Sequence, residues 1–198
     1  MKLIQTRSAL MAALAIGAFA AAGCSSMDSM GGMTAQASDT VMVGGAAMYP
    51  TKTIVENAVN SRDHTTLVAA VTAAGLVPTL SSAGPFTVFA PTNAAFAKLP
   101  AGTVETLVQP ANKATLTKIL TYHVVAGRLT AADIVSRIRA GGGRAALTTV
   151  EGGVLTASLR GNSVILTDEM GGVATVTQAD VLQSNGVIHV TDTVSIPN

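Results

Sequence analysis

The chain has 198 residues, of which 48% are hydrophobic, 3% are aromatic and 12% are charged. Its 12 basic and 11 acidic residues nearly balance and form no basic stripe, which argues against a nucleic-acid partner. The single cysteine excludes an intramolecular disulfide and any cysteine-based metal cluster. The length predicts one domain with additional segments.

Residues 1–23 have the pattern of a signal peptide: a basic start, then an apolar run over 9–22. That run is shorter than the about 20 residues of a membrane-spanning helix. The segment Ala21–Cys24 resembles the lipobox of bacterial lipoproteins, with alanine at its first position where leucine is usual. The resemblance implies that Cys24 is lipidated. Ordinary cleavage at another alanine, such as Ala37, is the alternative.

Residues 24–48 are rich in Met, Gly and Ser and show no period of 2 or 3.6. We predict a flexible tether that holds the following domain, residues 49–198, away from a membrane. The methionines of this stretch also suggest a copper(I) site with thioether ligands. A low-complexity spacer is the simpler interpretation, so no metal or other cofactor is predicted.

The first half of the domain is predicted to be helical from the spacing of its apolar residues and from its capping residues. The predicted helices are Thr53–Ser61, a helix capped by Asp63 and ending near Gly75, a short helix capped by Thr92, Asn112–Thr121, and a helix that begins at a capping box of Thr130 and Asp133 and ends at the glycines 141–143.

The second half is rich in Val, Ile, Leu and Thr and is interrupted by turn-like segments that contain glycine. The predicted strands are Ala145–Val150, Val154–Leu159, Ser163–Thr167, Val173–Thr177 and Val187–Ser195, with one earlier strand at Phe86–Ala90. A helical half followed by a run of strands indicates an α+β fold.

The segment around the early strand combines several local signals. Pro91 is expected to stop the ladder of the strand, and Thr92 to cap the helix that follows. Phe86, Phe89 and Phe96 lie within eleven positions, so we predict that they pack together and anchor the core.

The last predicted strand begins after a tight-turn dipeptide, Asn185-Gly186. Alternation places His189 on one face and Val190 on the other, which predicts a central, half-buried strand that closes a sheet.

The two stretches Thr87–Phe96, which includes Asn93, and Asn185–Val194 resemble the two sequence boxes of the fasciclin-like domain family. Tyr122-His123 lies between them, as the central Tyr-His pair of that family does. The match covers nearly the whole predicted domain. It implies a wedge-shaped, twisted β-sandwich decorated by helices, in a secreted or surface-bound adhesion module.

In animal matrix members of this family, adhesion is assigned to an Asp-Ile pair before the second box and to the Tyr-His region. The matching residues here are Asp180 and Val181, and Tyr122 and His123. A loop carboxylate such as that of Asp180 can complete the coordination of a receptor-held divalent ion. The alternatives are a turn or cap role for Asp180 and a buried, hydrogen-bonded pair for Tyr122-His123.

The sequence offers little support for an enzyme. His64, His123 and His189 have no His-x-x-x-His spacing, and neither Gly-x-Ser-x-Gly nor a phosphate loop is present. The alternative function is a small-ligand-binding envelope protein or a hydrolase that uses a cleft near His123 or His189. A polar pocket around these histidines would favour that alternative.

We therefore expect a non-enzymatic adhesion or interaction module outside the cytoplasm, anchored in the cell envelope through a lipid on Cys24 or secreted. The expected partners are a protein or glycan at a cell surface or matrix, together with the membrane that holds the lipid. The domain is expected to be a monomer. A structural envelope protein without a dedicated partner is a third possibility.

Overall fold

The computed structural model describes residues 40–198. The predicted signal peptide, Cys24 and most of the predicted tether lie outside the described residues. Between residues 40 and 198, no helix combines the length and the apolar character needed to cross a membrane.

Residues 40–198 form nine strands, seven of which build one sheet. The strands are β1 (Val41–Val43), β2 (Ala46–Met48), β3 (Phe86–Pro91), β4 (Val124–Ala126), β5 (Arg144–Thr148), β6 (Val154–Arg160), β7 (Ser163–Thr167), β8 (Val173–Gln183) and β9 (Gly186–Thr191). The sheet has the order β4-β3-β9-β8-β7-β6-β5, and β1 and β2 form a separate hairpin. Strands β3 and β9 run parallel, whereas their other neighbours in the sheet are antiparallel.

The sheet bends until its two edge strands almost meet. Val125 on β4 forms an isolated antiparallel bridge with Thr149, just after β5. The Val150 N–H donates a hydrogen bond to the Val124 carbonyl at 2.7 Å. The strands therefore enclose an interior in a nearly closed, wedge-like sheet, and the predicted α+β fold is confirmed.

Most of the helices precede β4, as predicted for a helical first half. The helices are α1 (Ile54–Ala58), α2 (Thr65–Ala74), α3 (Val77–Leu80), α4 (Asn93–Phe96), α5 (Thr103–Leu107), α6 (Lys113–Tyr122) and α7 (Ala131–Ala140).

Two predicted helix starts are confirmed by their hydrogen bonds. The Thr92 hydroxyl accepts from the Ala95 N–H at 3.2 Å at the start of α4. At the start of α7, Thr130 Oγ1 accepts from the Asp133 N–H at 3.2 Å, and Asp133 Oδ2 accepts from the Thr130 N–H at 2.9 Å. These are reciprocal bonds of a capping box, in which aspartate serves in place of the usual glutamate.

The prediction that Asp63 caps α2 is wrong. Arg62–His64 form a 3-10 turn, so His64 occupies the N-cap position and makes no capping hydrogen bond with its side chain. The other end of α2 agrees with the prediction, since Gly75 adopts a left-handed φ of +75° at the C-cap.

The β1–β2 hairpin corrects the predicted boundary between tether and domain. Val43 and Met48 are only 5% and 2% exposed, because the hairpin packs on the core. A Cβ at Gly44 in its turn would clash with Ser61 Oγ, so the turn also fits closely against the residue before the 3-10 turn. The folded domain thus includes residues 41–48, which we had placed in the tether.

The buried apolar residues form two clusters rather than one, which corrects the predicted phenylalanine corner. Phe96 belongs to the cluster under the helices of the first half, and Phe86 packs against the same cluster. Phe89 is 1% exposed and belongs to the second cluster, with α7 and β5–β8. Alternation along β3 explains the separation, since residues three apart on a strand point to opposite faces.

Strand β9 lies at the centre of the sheet, as predicted, but it is not half-buried. All six of its residues are buried, because each face of the strand meets one of the two clusters. His189 is 0% exposed on one face and Val190 is 4% exposed on the other. Two further differences are the short strand β4, which was not predicted, and β8, which continues to Gln183.

Candidate functional site

Tyr122, the last residue of α6, is a buried bridge between loops of the sheet. Its side chain is 0% exposed. Its hydroxyl donates to the Val154 carbonyl at 2.8 Å and accepts from the Glu169 N–H at 3.2 Å. Burial raises the pKa of Tyr122 to about 12, so the hydroxyl keeps its proton at physiological pH.

His123 is equally enclosed and uses both ring nitrogens. Nδ1 lies 2.8 Å from the Ile119 carbonyl, and Nε2 accepts from the Ser195 N–H at 3.0 Å. A carbonyl accepts and an N–H donates, so the ring carries its proton on Nδ1. Burial lowers the pKa of His123, and the Ile119 carbonyl and Asp168 oppose that shift only in part. The ring is therefore neutral and has no free nitrogen for catalysis.

Asp180 joins three elements at an irregularity in β8. The pairing of β8 with β9 shifts register just before Val181, and Asp180 has a left-handed φ of +58° there. Its Oδ1 accepts from the N–H of Ala131, the first residue of α7, at 2.7 Å. Its own N–H donates to His189 Nδ1 at 3.3 Å. This carboxylate therefore acts as a helix cap, the alternative raised for it from the sequence.

His189 completes this arrangement on β9. Its Nε2 lies 2.8 Å from the Leu129 carbonyl, which therefore accepts the ring proton. The ring stacks on Phe89 with a centroid separation of 5.5 Å. Burial lowers the pKa of His189, while the Leu129 carbonyl and Asp180 oppose the shift in part. This histidine, like His123, serves the fold.

The four residues suggested for adhesion therefore offer little surface to a partner. Val181, Tyr122 and His123 are 1%, 0% and 3% exposed. Asp180 is half-buried, and its carboxylate is already bonded to α7. A partner that binds the folded domain would have to use other side chains.

The residue types of the second box follow from its packing. Asn185 Oδ1 accepts from the Ile54 N–H at 3.0 Å, and its Nδ2 donates to the Leu80 carbonyl at 2.8 Å. One side chain thus ties α1 and α3 to the start of β9. A Cβ at Gly186 would clash with the Phe86 carbonyl, so only glycine lets β3 and β9 approach here.

Two polar side chains add long-range links. Asn93, which we had assigned only to the first box, accepts from the Thr66 N–H at 3.0 Å and donates to the Arg62 carbonyl at 2.8 Å. Asn57 was not singled out from the sequence, yet it is 0% exposed and its Nδ2 donates to Gln183 Oε1. The two residues are 126 positions apart, so no short window of sequence could have predicted this contact.

The chemistry expected of a hydrolase does not assemble around His123 or His189. Each ring has both nitrogens engaged with backbone groups. Among residues 40–198, no three His, Cys, Asp or Glu side chains are arranged to hold a metal ion.

A cavity of about 340 Å³ lies between the helices of the first half and the sheet. Its wall combines the β1–β2 hairpin, α1, α2, β3 and β9, with Val43, Leu67 and Ile188 as representative contacts. His64 and His123 also contribute, but no Asp, Glu, Lys or Arg side chain does. The cavity is therefore apolar, unlike the polar pocket that would have favoured a hydrolase.

His64 is a neutral part of this wall. Its Nδ1 lies 2.9 Å from Ser61 Oγ, and its Nε2 forms no hydrogen bond of normal geometry. Burial lowers the pKa of His64, and the Ala90 carbonyl and Asp63 oppose that shift only in part. Neither histidine of the wall thus brings a charge to the cavity at neutral pH.

A second feature lies at one end of the sheet, where β5 and β7 end and β6 and β8 begin. Eight large apolar side chains of the described residues are exposed, and five of them are at this end. We call them the apolar end: Val150, Val154, Met170, Val173 and Ile196. The Ile196 N–H donates to Asp168 Oδ2 at 2.9 Å, which brings the C-terminal segment to this place.

Comparison with known proteins identifies the family to which this chain is related. The Fasciclin domain family matches residues 62–197. Protein sll1483 of Synechocystis is 49% identical over 158 residues, which are 80% of this chain and 81% of that protein. Immunogenic protein MPB70 of Mycobacterium bovis is 39% identical over 143 residues, which cover 70% of this chain and 65% of that protein.

The fold also resembles a solved structure, a FAS1 domain pair from the insect cell adhesion molecule Fasciclin I. The TM-score is 0.64 at 18% sequence identity, over 72% of this chain and 50% of that one. This likeness shows a shared fold. Because the family match covers more than half of the chain and the cyanobacterial relative matches along most of its own length, this chain belongs to the fasciclin domain family.

Proposed function

We propose that this protein is a non-enzymatic adhesion or interaction module that acts outside the cytoplasm. Family membership supports this class of function, and the solved neighbour comes from a cell adhesion molecule. The observation that carries the proposal is the apolar end, where exposed side chains gather while the histidines of the chain are buried. The partner is a protein or glycan of a cell surface or matrix.

The apolar end has the composition of a protein-binding surface. Met170 is 65% exposed and Val173 is 43% exposed, on neighbouring parts of the β7–β8 connection. Grouped apolar side chains on a soluble domain mark interaction sites, whereas single ones carry no such meaning. Glu169 and Glu151 border the group, and Lys118 Nζ lies 3.9 Å from Glu151 Oε1, so the contact has a polar rim with charges of both signs.

Substitution of one exposed methionine tests this assignment. Met170→Asp should abolish saturable binding of the purified full chain to intact cells and to immobilised matrix components. Met42→Asp is the matched control, because Met42 is 58% exposed on the hairpin, away from the apolar end. Both variants should unfold like the wild type. If Met170→Asp bound as well as the wild type, the apolar end would be excluded as the binding surface. If the wild type showed no saturable binding, an adhesion function would be contradicted.

We also propose that Cys24 carries the lipid that anchors the module. The support is the sequence Ala21–Cys24 at the end of an apolar run, and more than one acyl chain on a cysteine gives stable attachment. Metabolic labelling with an alkynyl fatty acid should mark the wild-type protein and not Cys24→Ala. Equally low labelling of both would rule out the anchor and leave a secreted module.

A further inference from the structure

The cavity beneath the helices has a buried, apolar interior and some lining residues that are exposed to solvent. Interior residues such as Met48 and Leu67 are 2% and 8% exposed. Val59, just after α1, also lines the cavity and is 53% exposed, and Thr72 on α2, another lining residue, is exposed as well. The opening therefore lies between α1 and α2, on the side where the two helices face solvent.

The size of the cavity limits what it can hold. A volume of about 340 Å³ equals the space of roughly eleven water molecules at about 30 Å³ each. Protein interiors contain few voids larger than a single water, so this is a pocket rather than a packing defect. It suits a ligand segment of about a dozen non-hydrogen atoms, at the small end of known ligand sites.

The chemistry of the wall limits the ligand further. No charged side chain lines the cavity, and the rings of His64 and His123 are neutral. An ionised group inside would lose its hydration without gaining a partner. Any polar group of the ligand must therefore stay at the opening, near Val59 and Thr72.

We propose that this cavity binds the apolar tail of a single-chain amphiphile with an uncharged head group. The tail occupies the space between α1, α2 and the sheet, and the head remains at the opening in water. The β1–β2 hairpin supplies part of the wall through Val43 and Met48. The lining of the cavity shares no residue with the apolar end, so this is a second site rather than a part of that surface.

Titration of the ¹⁵N-labelled full chain with 1-hexanol, 1-octanol and 1-decanol tests the proposal. Saturable amide shifts should map to α1, α2 and the hairpin, and not to β5–β7. Each added CH₂ should lower the Kd about fourfold. Shifts confined to β5–β7, or affinities that do not depend on chain length, would overturn the proposal.

Two variants test whether the apolar tail of the ligand occupies the cavity, and a third is a control for the added aromatic ring. Ala58→Phe narrows the interior and Val59→Trp covers the opening, so each should weaken 1-decanol binding at least about tenfold. Arg160→Trp places the same ring on an exposed residue at the other end of β6, outside both the cavity and the apolar end, and should bind 1-decanol as the wild type does. Wild-type affinity in both cavity variants would overturn the proposal. If either fails to fold, the wild-type shift map and the chain-length series decide.

Discussion

Asp180 combines two properties, a left-handed backbone and a side chain that accepts a hydrogen bond, of which glycine can supply only the first and asparagine both. Its φ of +58° lies in the left-handed region, where most residues are strained and where Asp and Asn are tolerated better than others. Its carboxylate also holds the N-terminus of α7 through the Ala131 N–H. The backbone requirement and the side-chain requirement are separable by substitution.

We expect a graded series at Asp180. Asp180→Asn keeps the acceptor and tolerates the left-handed backbone, so its free energy of unfolding should stay within about 0.5 kcal/mol of wild type. Asp180→Gly loses only the hydrogen bond, so its free energy of unfolding should be about 1 kcal/mol lower than that of the wild type. Asp180→Ala loses the hydrogen bond and also strains the backbone, so its free energy of unfolding should be about 2–3 kcal/mol lower.

Urea unfolding of the three variants measures this series. The comparison of glycine with alanine isolates the backbone term, because neither side chain can cap α7. Equal losses in these two variants would show that the left-handed conformation costs nothing at this position.

At the scale of elements, the β1–β2 hairpin extends the folded domain toward the N-terminus of the chain. It is two strands of three residues each, and such a hairpin is not stable alone. The hairpin forms because Val43 and Met48 reach the core, while Met42 stays 58% exposed. The hairpin is thus held by its burial rather than by its own pairing.

Two methionines of the hairpin provide a direct test. Met48→Ala should lower the free energy of unfolding by about 2–3 kcal/mol, because it removes buried volume. Met42→Ala should change it by less than about 0.5 kcal/mol, since an exposed side chain contributes little. Thermal or urea unfolding checks both. If Met48→Ala were as stable as the wild type, residues 41–48 would belong to the tether and not to the folded domain.

Local signals account for the elements that were predicted correctly. Thr92 and Thr130 cap helices through residues three positions on, so their roles are visible in a short window of sequence. The hairpin has no comparable signal, because strands of three residues show no measurable period. Its formation depends on a core built from residues more than a hundred positions away, such as Val181 and Ile188.

The candidate sites were predictable only where family resemblance supplied the residues. The resemblance drew attention to Tyr122, His123 and His189, but their burial follows from tertiary packing on both faces of the sheet. The apolar end draws on the ends of four strands and on the C-terminal segment, and the cavity draws on helices and strands from residue 43 to residue 188. Neither site has a sequence pattern of its own.

At the scale of the whole molecule, three buried histidines make stability depend on pH. Burial lowers the pKa of His64, His123 and His189 below the ordinary value of 6.5. Between pH 6.5 and the folded-state pKa, the unfolded chain binds more protons than the native one. Stability therefore falls as the pH drops through this window and is flat above it.

The free energy of unfolding should therefore decrease as the pH falls below 6.5, and each histidine contributes to this decrease until the pH reaches its folded-state pKa. Urea unfolding at pH 7.5, 6.5, 5.5 and 5.0 measures it. The ring signals of the native protein should titrate at a lower pH than those of a free histidine. Constant stability across this range would mean that the histidines take up protons in the folded state without penalty.

The central place of β9 has a consequence for synthesis. Its parallel partner β3 lies one hundred positions earlier in the chain, and the two strands pair from Phe86-Gly186 to Pro91-Thr191. The middle of the sheet therefore stays incomplete until β9 itself has been synthesised and has left the ribosome. Until then β3 lacks its central partner, so the domain cannot complete its sheet step by step as the earlier strands emerge.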